Sequence, residues 1–175
     1  EEGGDMAFTP DIFVKDGDVI AGNGFTFECV YTPGHTSNHM CFALAQERAL
    51  FTGDHIMGWS TTVVTPPDGD MAQYMASVKK LIARDDKILY PTHGAPITDP
   101  KPFLAAYLDH RLDRERQILA CIKDGVGTIP EMVARMYADV DKRLHPAASR
   151  SVLAHLIQLT QEGRIKTTEG TYTLS

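Results

Sequence analysis

The chain reads ALFTGDH at positions 49–55 and KILYPTHG at positions 87–94, and an amphipathic segment separates the two stretches. In that segment, residues 70–84, apolar side chains recur at the spacing of one helical face, with Asp68 or Asp70 available as the N-cap. The order strand, helix, strand requires a crossover connection. The sequence therefore predicts a parallel strand pair within an α/β sheet.

The residues before this unit predict further strands. A Gly-rich turn at 21–24 precedes residues 25–32, in which apolar and polar side chains alternate, and a second apolar run covers residues 39–45. Residues 46–48 are predicted to turn back into the strand at 49–52. Three of these strands end in loops that contain His or Asp, and reactive side chains of α/β proteins gather in such loops.

The last part of the chain predicts three helices and a hairpin. Apolar spacing, N-terminal caps and helix-ending glycines delimit the helices, and Gly170 marks the hairpin turn. The segments are 100–123, 128–139, 147–162 and 164–174. This order is typical of a winged helix-turn-helix. Two domains are therefore expected, residues 1–99 and residues 100–175, with the long first helix as the connection.

Charge is divided unevenly between the two parts. Residues 1–100 hold 6 Lys and Arg against 14 Asp and Glu, whereas residues 101–175 hold 11 against 9, an excess of +2. An acidic first part joined to a mildly basic second part indicates modules with different partners.

The composition indicates a water-soluble globular protein, with 43% hydrophobic residues and no apolar run as long as a membrane helix requires. We therefore expect no membrane role. The three cysteines, Cys29, Cys41 and Cys121, form no C-x-x-C pair, which argues against a disulfide scaffold and a cysteine zinc site. Buried thiols in a reducing cytoplasm are expected instead.

The residues most suited to chemistry are His35 in TPGHT, Asp54 in FTGDH and His93 in YPTHG. Each lies just after a predicted strand, beside Gly or Pro. Neutral imidazole nitrogen and carboxylate oxygen are zinc ligands, and a carboxylate has two oxygens with which to bridge two metal ions. Asp54 is the natural candidate for such a bridge.

The three motifs occur in the order and approximate spacing of the last three metal motifs of the metallo-β-lactamase superfamily of hydrolases, which the chain resembles. The resemblance implies the second half of an αββα sandwich followed by an all-α winged helix-turn-helix domain with a β-hairpin. It also implies two zinc ions per complete protein. His35 would complete the first zinc site, Asp54 would bridge both ions as the catalytic carboxylate, and His93 would belong to the second. A hydroxide held between the metals would be the nucleophile.

One motif of that family is missing. The H-x-H-x-D-H loop, which supplies two ligands to each zinc, occurs nowhere in the 175 residues. We therefore expect the chain to be the carboxyl-terminal part of a longer enzyme, with zinc weakly bound or absent and little activity in isolation. The absence of the first half of the sandwich would also expose sheet surface, and pairing of two copies through that surface is expected.

Residues 30–175 resemble one branch in particular, the β-lactamase-like protein 2 group, which includes endoribonucleases and uncharacterised hydrolases. The sequence leaves the substrate open between a phosphodiester, an ester, a thioester and an amide, and between a small molecule and RNA. The alternative is a non-catalytic module, in which the winged helix binds nucleic acid or a protein and the metal motifs are remnants.

Two further histidines lie near the motifs. His39 is interpreted as a residue that holds its loop by a hydrogen bond or supports a metal ligand. His55 follows Asp54 directly and is expected to point away from the site, in a packing or supporting role.

Positive charge in the winged helix is a candidate nucleic-acid surface. Arg150 and His155 are expected toward the exposed side of the third helix, together with Gln158, while Arg164 and Lys166 lie in the hairpin. The competing interpretation is a solvated face used for packing or dimerisation. The small excess of positive charge favours the second interpretation.

Overall fold

The structure is a computed structural model that describes residue 7 and residues 9–175. A five-stranded sheet has the order β1-β2-β3-β4-β5, in which all neighbours are antiparallel except the parallel pair β4 and β5. The strands are β1 Val19–Ala21, β2 Thr26–Tyr31, β3 Met40–Leu44, β4 Ala49–Gly53 and β5 Ile88–Pro91. Helix α1, Met71–Ile82, connects β4 to β5 and confirms the predicted strand-helix-strand unit.

The strand directions gather the predicted motifs at one edge. β2 and β4 both run antiparallel to β3, so they point the same way, and β5 is parallel to β4. The carboxyl ends of β2, β4 and β5 therefore share an edge with the start of β3. Loops that follow these strands meet there, as in other α/β proteins.

The two faces of the sheet differ. Ala43, Leu50 and Leu89 are cross-strand neighbours on the face that belongs to the main hydrophobic core, which α1 covers. The opposite face carries aromatic rings, and Phe51 lies between Phe27 and Tyr90 with centroid separations of 5.8 and 5.3 Å. Phe51 is 40% exposed, so the described residues leave this second face open.

Helix α1 begins as the sequence predicts. The Asp70 carboxylate accepts a hydrogen bond from the Gln73 backbone nitrogen at 2.9 Å, which satisfies one amide of the first turn. The helix ends at Ile82, slightly before the predicted position. The predicted turn at 46–48 is partly a 3-10 helix, Ala45–Glu47.

Helix α2, Pro100–Lys123, belongs to both hydrophobic cores. Its first half contributes Leu104 and Tyr107 to the core under the sheet, while Ile118 and Ile122 lie in a second core with the following helices. One continuous helix thus connects the sheet to the last part of the chain.

The last part has the predicted order of helices and hairpin. Helix α3 spans Ile129–Met136, α4 spans His145–Gln161, and β6 Ile165–Thr168 pairs with β7 Thr171–Leu174. Glu131 accepts hydrogen bonds from the backbone nitrogen and the hydroxyl of Thr128, at 3.3 and 2.6 Å, as the capping pattern predicts. Helix α3 is shorter than the predicted 128–139 segment.

The predicted exposure of His155 is wrong. His155 is 1% exposed and Gln158 is also buried, because α4 packs against α1 and α2 as well as against α3. Ala154 lies in the core under the sheet, whereas Val152 and Leu156 lie in the second core. Apolar spacing identifies one buried stripe of a helix and does not reveal a second stripe buried against neighbouring elements.

The cysteines are buried thiols, as expected, and the described residues form no disulfide. No helix in the described part of the chain combines the length and the apolar character needed to cross a membrane.

Candidate metal centre

The loop after β2 that carries His35 depends on a glycine. Gly34 has φ +135, and a Cβ placed on it would lie 2.3 Å from the backbone nitrogen of Tyr74 in α1. No side chain fits at that distance, so only glycine lets the loop pass the start of the helix. The Gly34 carbonyl also accepts a hydrogen bond from the Asp70 nitrogen at 2.9 Å, which fixes the loop to the helix N-terminus.

The structure brings the three candidate ligands together at the sheet edge. Asp54 follows β4 directly, and its carboxylate lies between the two imidazoles. Oδ1 of Asp54 is 3.5 Å from Nε2 of His93, and Oδ2 is 4.0 Å from Nε2 of His35. One carboxylate thus faces two separate imidazole nitrogens through its two oxygens.

This arrangement fits part of a two-metal site. Zinc bonds of about 2.0 to 2.2 Å at tetrahedral angles separate two donor atoms by about 3.3 to 3.6 Å. The distance between Asp54 and His93 falls in that range, and the distance between Asp54 and His35 is slightly longer. Oδ1 of Asp54 is buried without a hydrogen-bond partner among the described residues, and a cation would satisfy it.

Each of the two imidazoles has the Asp54 carboxylate as its one neighbouring candidate ligand among the described residues. Within the described part of the chain, no three His, Cys, Asp or Glu side chains form a group that could hold a metal ion. The donor set present therefore supplies two ligands to each of two positions, one on either side of Asp54.

The ring of His35 is oriented by a backbone carbonyl. Nδ1 of His35 lies 2.6 Å from the carbonyl oxygen of Val63. Because a carbonyl only accepts hydrogen bonds, Nδ1 carries the proton in this contact, and in the neutral ring Nε2 keeps its lone pair. The ring is thus held in the tautomer that presents a donor atom toward Asp54.

Helices α1 and α2 hold the segment that joins Asp54 to Val63. The Tyr74 hydroxyl donates to the His55 carbonyl at 2.9 Å, and the Tyr107 hydroxyl accepts from the Met57 nitrogen at 3.0 Å and donates to the Ser60 carbonyl. Hydrogen bonds from two rigid helices fix the position of a loop that has little regular structure of its own.

A buried arginine completes this support. The Arg111 guanidinium donates to the Thr62 carbonyl, and the Thr62 hydroxyl lies 2.8 Å from the Asp54 carbonyl and 3.0 Å from the His55 carbonyl. Sequence analysis missed these supporting residues. Tyr107 and Arg111 stand four residues apart on α2, but this spacing alone does not distinguish a loop contact from an ordinary core position.

His39 lies behind the ligands at the start of β3. Its Nδ1 is 2.9 Å from the Thr32 hydroxyl, and its ring centroid is 6.5 Å from that of His35. Burial, and to a lesser degree the neighbouring His35, lowers the pKa of His39 to about 4. The neutral ring connects Thr32, directly after β2, with the start of β3 through this hydrogen bond.

His55 is a buried side chain of the core. It is 0% exposed, and its ring centroid lies 4.8 Å from that of Tyr74. Both ring nitrogens lack a hydrogen-bond partner among the described residues. Burial lowers the pKa of His55 to about 3, so the ring is neutral and packs as an aromatic group.

The other candidate contacts lie in the last part of the chain. Arg150 and Lys166 are exposed, whereas the Arg164 guanidinium pairs with Glu115 and with Glu162, the latter at 3.3 Å. The charge of Arg164 is therefore largely neutralised within the chain, and buried His155 presents no side chain to the surface.

Comparison with known families agrees with this architecture. The family model of the metallo-beta-lactamase superfamily matches residues 2–93, just over half of the chain. The model of the beta-lactamase associated winged helix domain matches residues 128–172.

Curated relatives match most of the chain. It is 35% identical over 155 residues to an atrochrysone carboxyl ACP thioesterase of Aspergillus chevalieri, a match that covers 82% of this chain and 49% of the thioesterase. It is 34% identical over 155 residues to a beta-lactamase-like protein 2 homolog of Caenorhabditis elegans, covering 88% of this chain and 51% of the homolog. The chain thus spans about half the length of the curated relatives it matches.

A solved structure shares the fold. A metallo-beta-lactamase family protein of Thermus thermophilus superimposes with a TM-score of 0.80 at 22% identity, covering 95% of this chain and 55% of that protein. The superposition includes both the sheet and the helices that follow it. Together with the family matches, it identifies the chain as a member of the metallo-beta-lactamase superfamily that carries a beta-lactamase associated winged helix domain.

Proposed function

We propose that this protein is a zinc-dependent hydrolase and that His35, Asp54 and His93 are its metal ligands. The observation that carries the proposal is the position of the Asp54 carboxylate, whose two oxygens face two different imidazoles at 3.5 and 4.0 Å. Two imidazoles and a shared carboxylate form a donor set that suits zinc.

Each residue has a distinct part in this proposal. His35 and His93 hold one metal position each through Nε2, and Asp54 contributes to both. Zinc at such a site lowers the pKa of coordinated water to about 7, which supplies a nucleophile at neutral pH. The chain itself fixes the tautomer of His35 through the Val63 carbonyl and fixes the loop of Asp54 through Thr62.

For the substrate we favour a thioester. A relative 35% identical to this chain is named a carboxyl ACP thioesterase, and the match covers 82% of this chain. The hydrolysis assay described below also includes an ester and a phosphodiester, because a metal site of this kind does not by itself fix which bond is cleaved.

The winged helix offers less support for the alternative of a nucleic-acid module. Of the four candidate contacts, His155 is buried and Arg164 is paired with two carboxylates, which leaves Arg150 and Lys166. Two exposed cations give only a weak electrostatic attraction for a phosphate backbone. We therefore favour metal-dependent hydrolysis over nucleic-acid binding as the function.

Zinc binding tests the ligand set directly. Titration of the apo protein with zinc, followed by calorimetry, should show binding that Asp54→Ala weakens at least tenfold, because both metal positions lose a ligand. Asp139→Ala removes an exposed carboxylate between α3 and α4 and should leave zinc affinity unchanged. Equal zinc affinity of the Asp54→Ala variant and the unaltered protein would refute the ligand assignment.

Hydrolysis is tested on the protein and on longer forms of the chain that include an H-x-H-x-D-H loop. An acyl thioester, a nitrophenyl ester and a bis-nitrophenyl phosphate are the substrates, with Asp54→Ala as the negative control. We expect the thioester to be hydrolysed fastest by the longer form, and only slowly by the 175-residue chain. Activity that survives Asp54→Ala would overturn the hydrolase mechanism.

A further inference from the structure

A cavity of about 350 Å³ lies next to the metal centre, between the segment 61–63 and helices α2 and α4. Val63 connects the cavity to the metal centre, since it is one of the residues that line the cavity and its carbonyl oxygen contacts His35. The volume is at the lower end of the range that small-molecule sites occupy, about 300 to 1,000 Å³.

Two guanidinium groups line one side of this cavity. Arg111 and Arg114 project from α2 together with the His110 ring, and no Asp or Glu is among the lining residues. Arg111 is only 3% exposed, and its Nε atom has no hydrogen-bond partner within the described residues. Neither guanidinium forms a salt bridge with any carboxylate that the structure describes, whereas Arg116 on the same helix pairs with Asp113 at 3.2 Å.

The partners of Arg111 satisfy it only in part. It donates to the Thr62 carbonyl and lies over the Tyr74 ring at 5.2 Å, and both are neutral groups. A buried charge without a counter-charge is costly, so an anion in the cavity that Arg111 lines would stabilise the guanidinium. The two guanidinium charges also act on the neighbouring His110, whose pKa is lowered by burial first and then by Arg111 and Arg114.

Apolar residues form most of the remaining wall. Val63, Val140 and Leu144 line it, together with Tyr137, whose ring centroid lies 4.4 Å from the Arg114 guanidinium carbon. The other polar lining residues are the hydroxyl residues Thr61, Thr62 and Ser151. A ligand here meets cations at one end and hydrocarbon along its body. This pattern, a mostly apolar lining with a few directed polar groups, is typical of small-molecule sites.

We propose that this cavity binds an aromatic carboxylic acid, with its carboxylate against Arg111 and Arg114 and its ring against the apolar wall. A planar guanidinium group matches a carboxylate in charge and shape. The cavity would hold the aromatic acid beside the metal centre. Whether the cavity serves in substrate recognition rests on the proposed hydrolase function. Binding of the acid itself does not depend on that function.

Calorimetric titration of the protein with 1-naphthoate tests the proposal. 1-Naphthamide keeps the ring and lacks the charge, and acetate keeps the charge and lacks the ring. We expect naphthoate to bind at least tenfold more tightly than either, because only naphthoate satisfies both the cationic end and the apolar wall.

Variants locate the binding. Arg114→Gln should weaken naphthoate about tenfold through loss of a charged partner, and Ser151→Leu should block binding by filling the cavity from α4. Arg116→Gln, which removes the same charge from an exposed position on the same helix, should leave the affinity unchanged. Circular dichroism and the unfolding midpoint establish that each variant is folded.

Three outcomes would overturn the proposal: no naphthoate binding, equal affinity for naphthoate and naphthamide, or equal weakening by Arg114→Gln and Arg116→Gln. The last would indicate general charge attraction rather than a site. This inference and the proposed function can fail separately. If the unaltered protein and its longer forms hydrolyse nothing, the proposed function is refuted. If naphthoate still binds, also to Asp54→Ala, this inference stands.

Discussion

Gly53 shows how closely single positions are constrained at this site. It connects β4 to Asp54 with φ +53, and a Cβ placed on it would lie 2.7 Å from Nε2 of His39. The glycine thus combines a left-handed backbone with close approach of an imidazole. The FTGDH motif therefore requires glycine here for a reason independent of metal chemistry.

Gly53→Ala should destabilise the protein more than an alanine at another left-handed glycine. Gly163 has φ +70 with no atom near the position of a Cβ, so Gly163→Ala measures the backbone cost alone, about 1 kcal/mol. The clash with His39 should add about 1 kcal/mol or more in Gly53→Ala. Urea unfolding of both variants gives the comparison, and equal losses would contradict the expected clash.

Buried His155 predicts a pH dependence of stability. Burial, then the charge of Arg111, lowers its folded-state pKa to about 4, from about 6.5 in the unfolded chain. The unfolded chain therefore binds the proton more tightly, and the folded state loses relative stability as the pH falls from about 6.5 to about 4.

At pH 5 this penalty is about 2 kcal/mol relative to pH 7.5. Replacing the titrating ring in His155→Gln should remove that part of the pH dependence, whatever the variant does to stability at pH 7.5. Other buried histidines act equally in both proteins, so the difference between the two pH slopes isolates His155. Parallel slopes in urea unfolding would show that His155 does not contribute.

Helix α2 is the element that joins the two hydrophobic cores and also shapes the site. Its Tyr107 hydroxyl bonds to Met57 and Ser60, and its Arg111 guanidinium bonds to Thr62. The winged helix packs on the second half of the same helix. A shift in the position of α2 would therefore displace both the metal-site loop and the last part of the chain.

Tyr107→Phe should loosen the segment 57–63 without unfolding the protein. The variant leaves the Met57 amide without its partner, which costs about 1 to 3 kcal/mol when the group stays buried. Hydrogen exchange should accelerate at amides 57–63. Tyr90→Phe, on a ring that stacks against Phe51 on the open sheet face, should leave this exchange unchanged.

If Tyr107→Phe leaves both stability and exchange unaltered, helix α2 does not hold the loop through this hydroxyl. In that case Arg111 and Thr62 would be the remaining connection between the helix and the site.

For the molecule as a whole, the open aromatic face of the sheet is a contiguous exposed apolar surface. Ile20, Phe27, Phe42 and Phe51 enclose a wholly apolar depression on it, and Phe25 and Tyr90 extend it. An exposed contiguous apolar patch usually marks an interface. We propose that two copies of the chain pack these faces together, as sheets do in a β-sandwich.

Light scattering should therefore give the mass of a dimer at micromolar concentration, and Phe51→Lys should give the mass of a monomer, because a charge at the centre of the face opposes burial. Leu174→Lys alters an exposed leucine of β7 and should leave the dimer intact. A monomer for the unaltered chain would refute the pairing.

Most of the architecture follows from local pattern. Alternation, capping residues and glycines are properties of neighbouring residues, so the strand-helix-strand unit, the long helix and the hairpin are predictable from the chain alone, with small errors at the ends of α1 and α3. The motifs around His35, Asp54 and His93 are equally local, and the family resemblance assigns them their order. From the sequence, a shared sheet edge predicts that these three residues lie near one another, but it does not predict the distances between them.

The tertiary structure alone decided the contacts between residues far apart in sequence. Burial of His155 comes from two helices that pack on α4, and the Val63 carbonyl meets His35 only after the chain folds back. The cavity that Arg111 lines is formed by segments distant from one another in the chain. No periodicity encodes these distances, because they depend on how finished elements pack against one another.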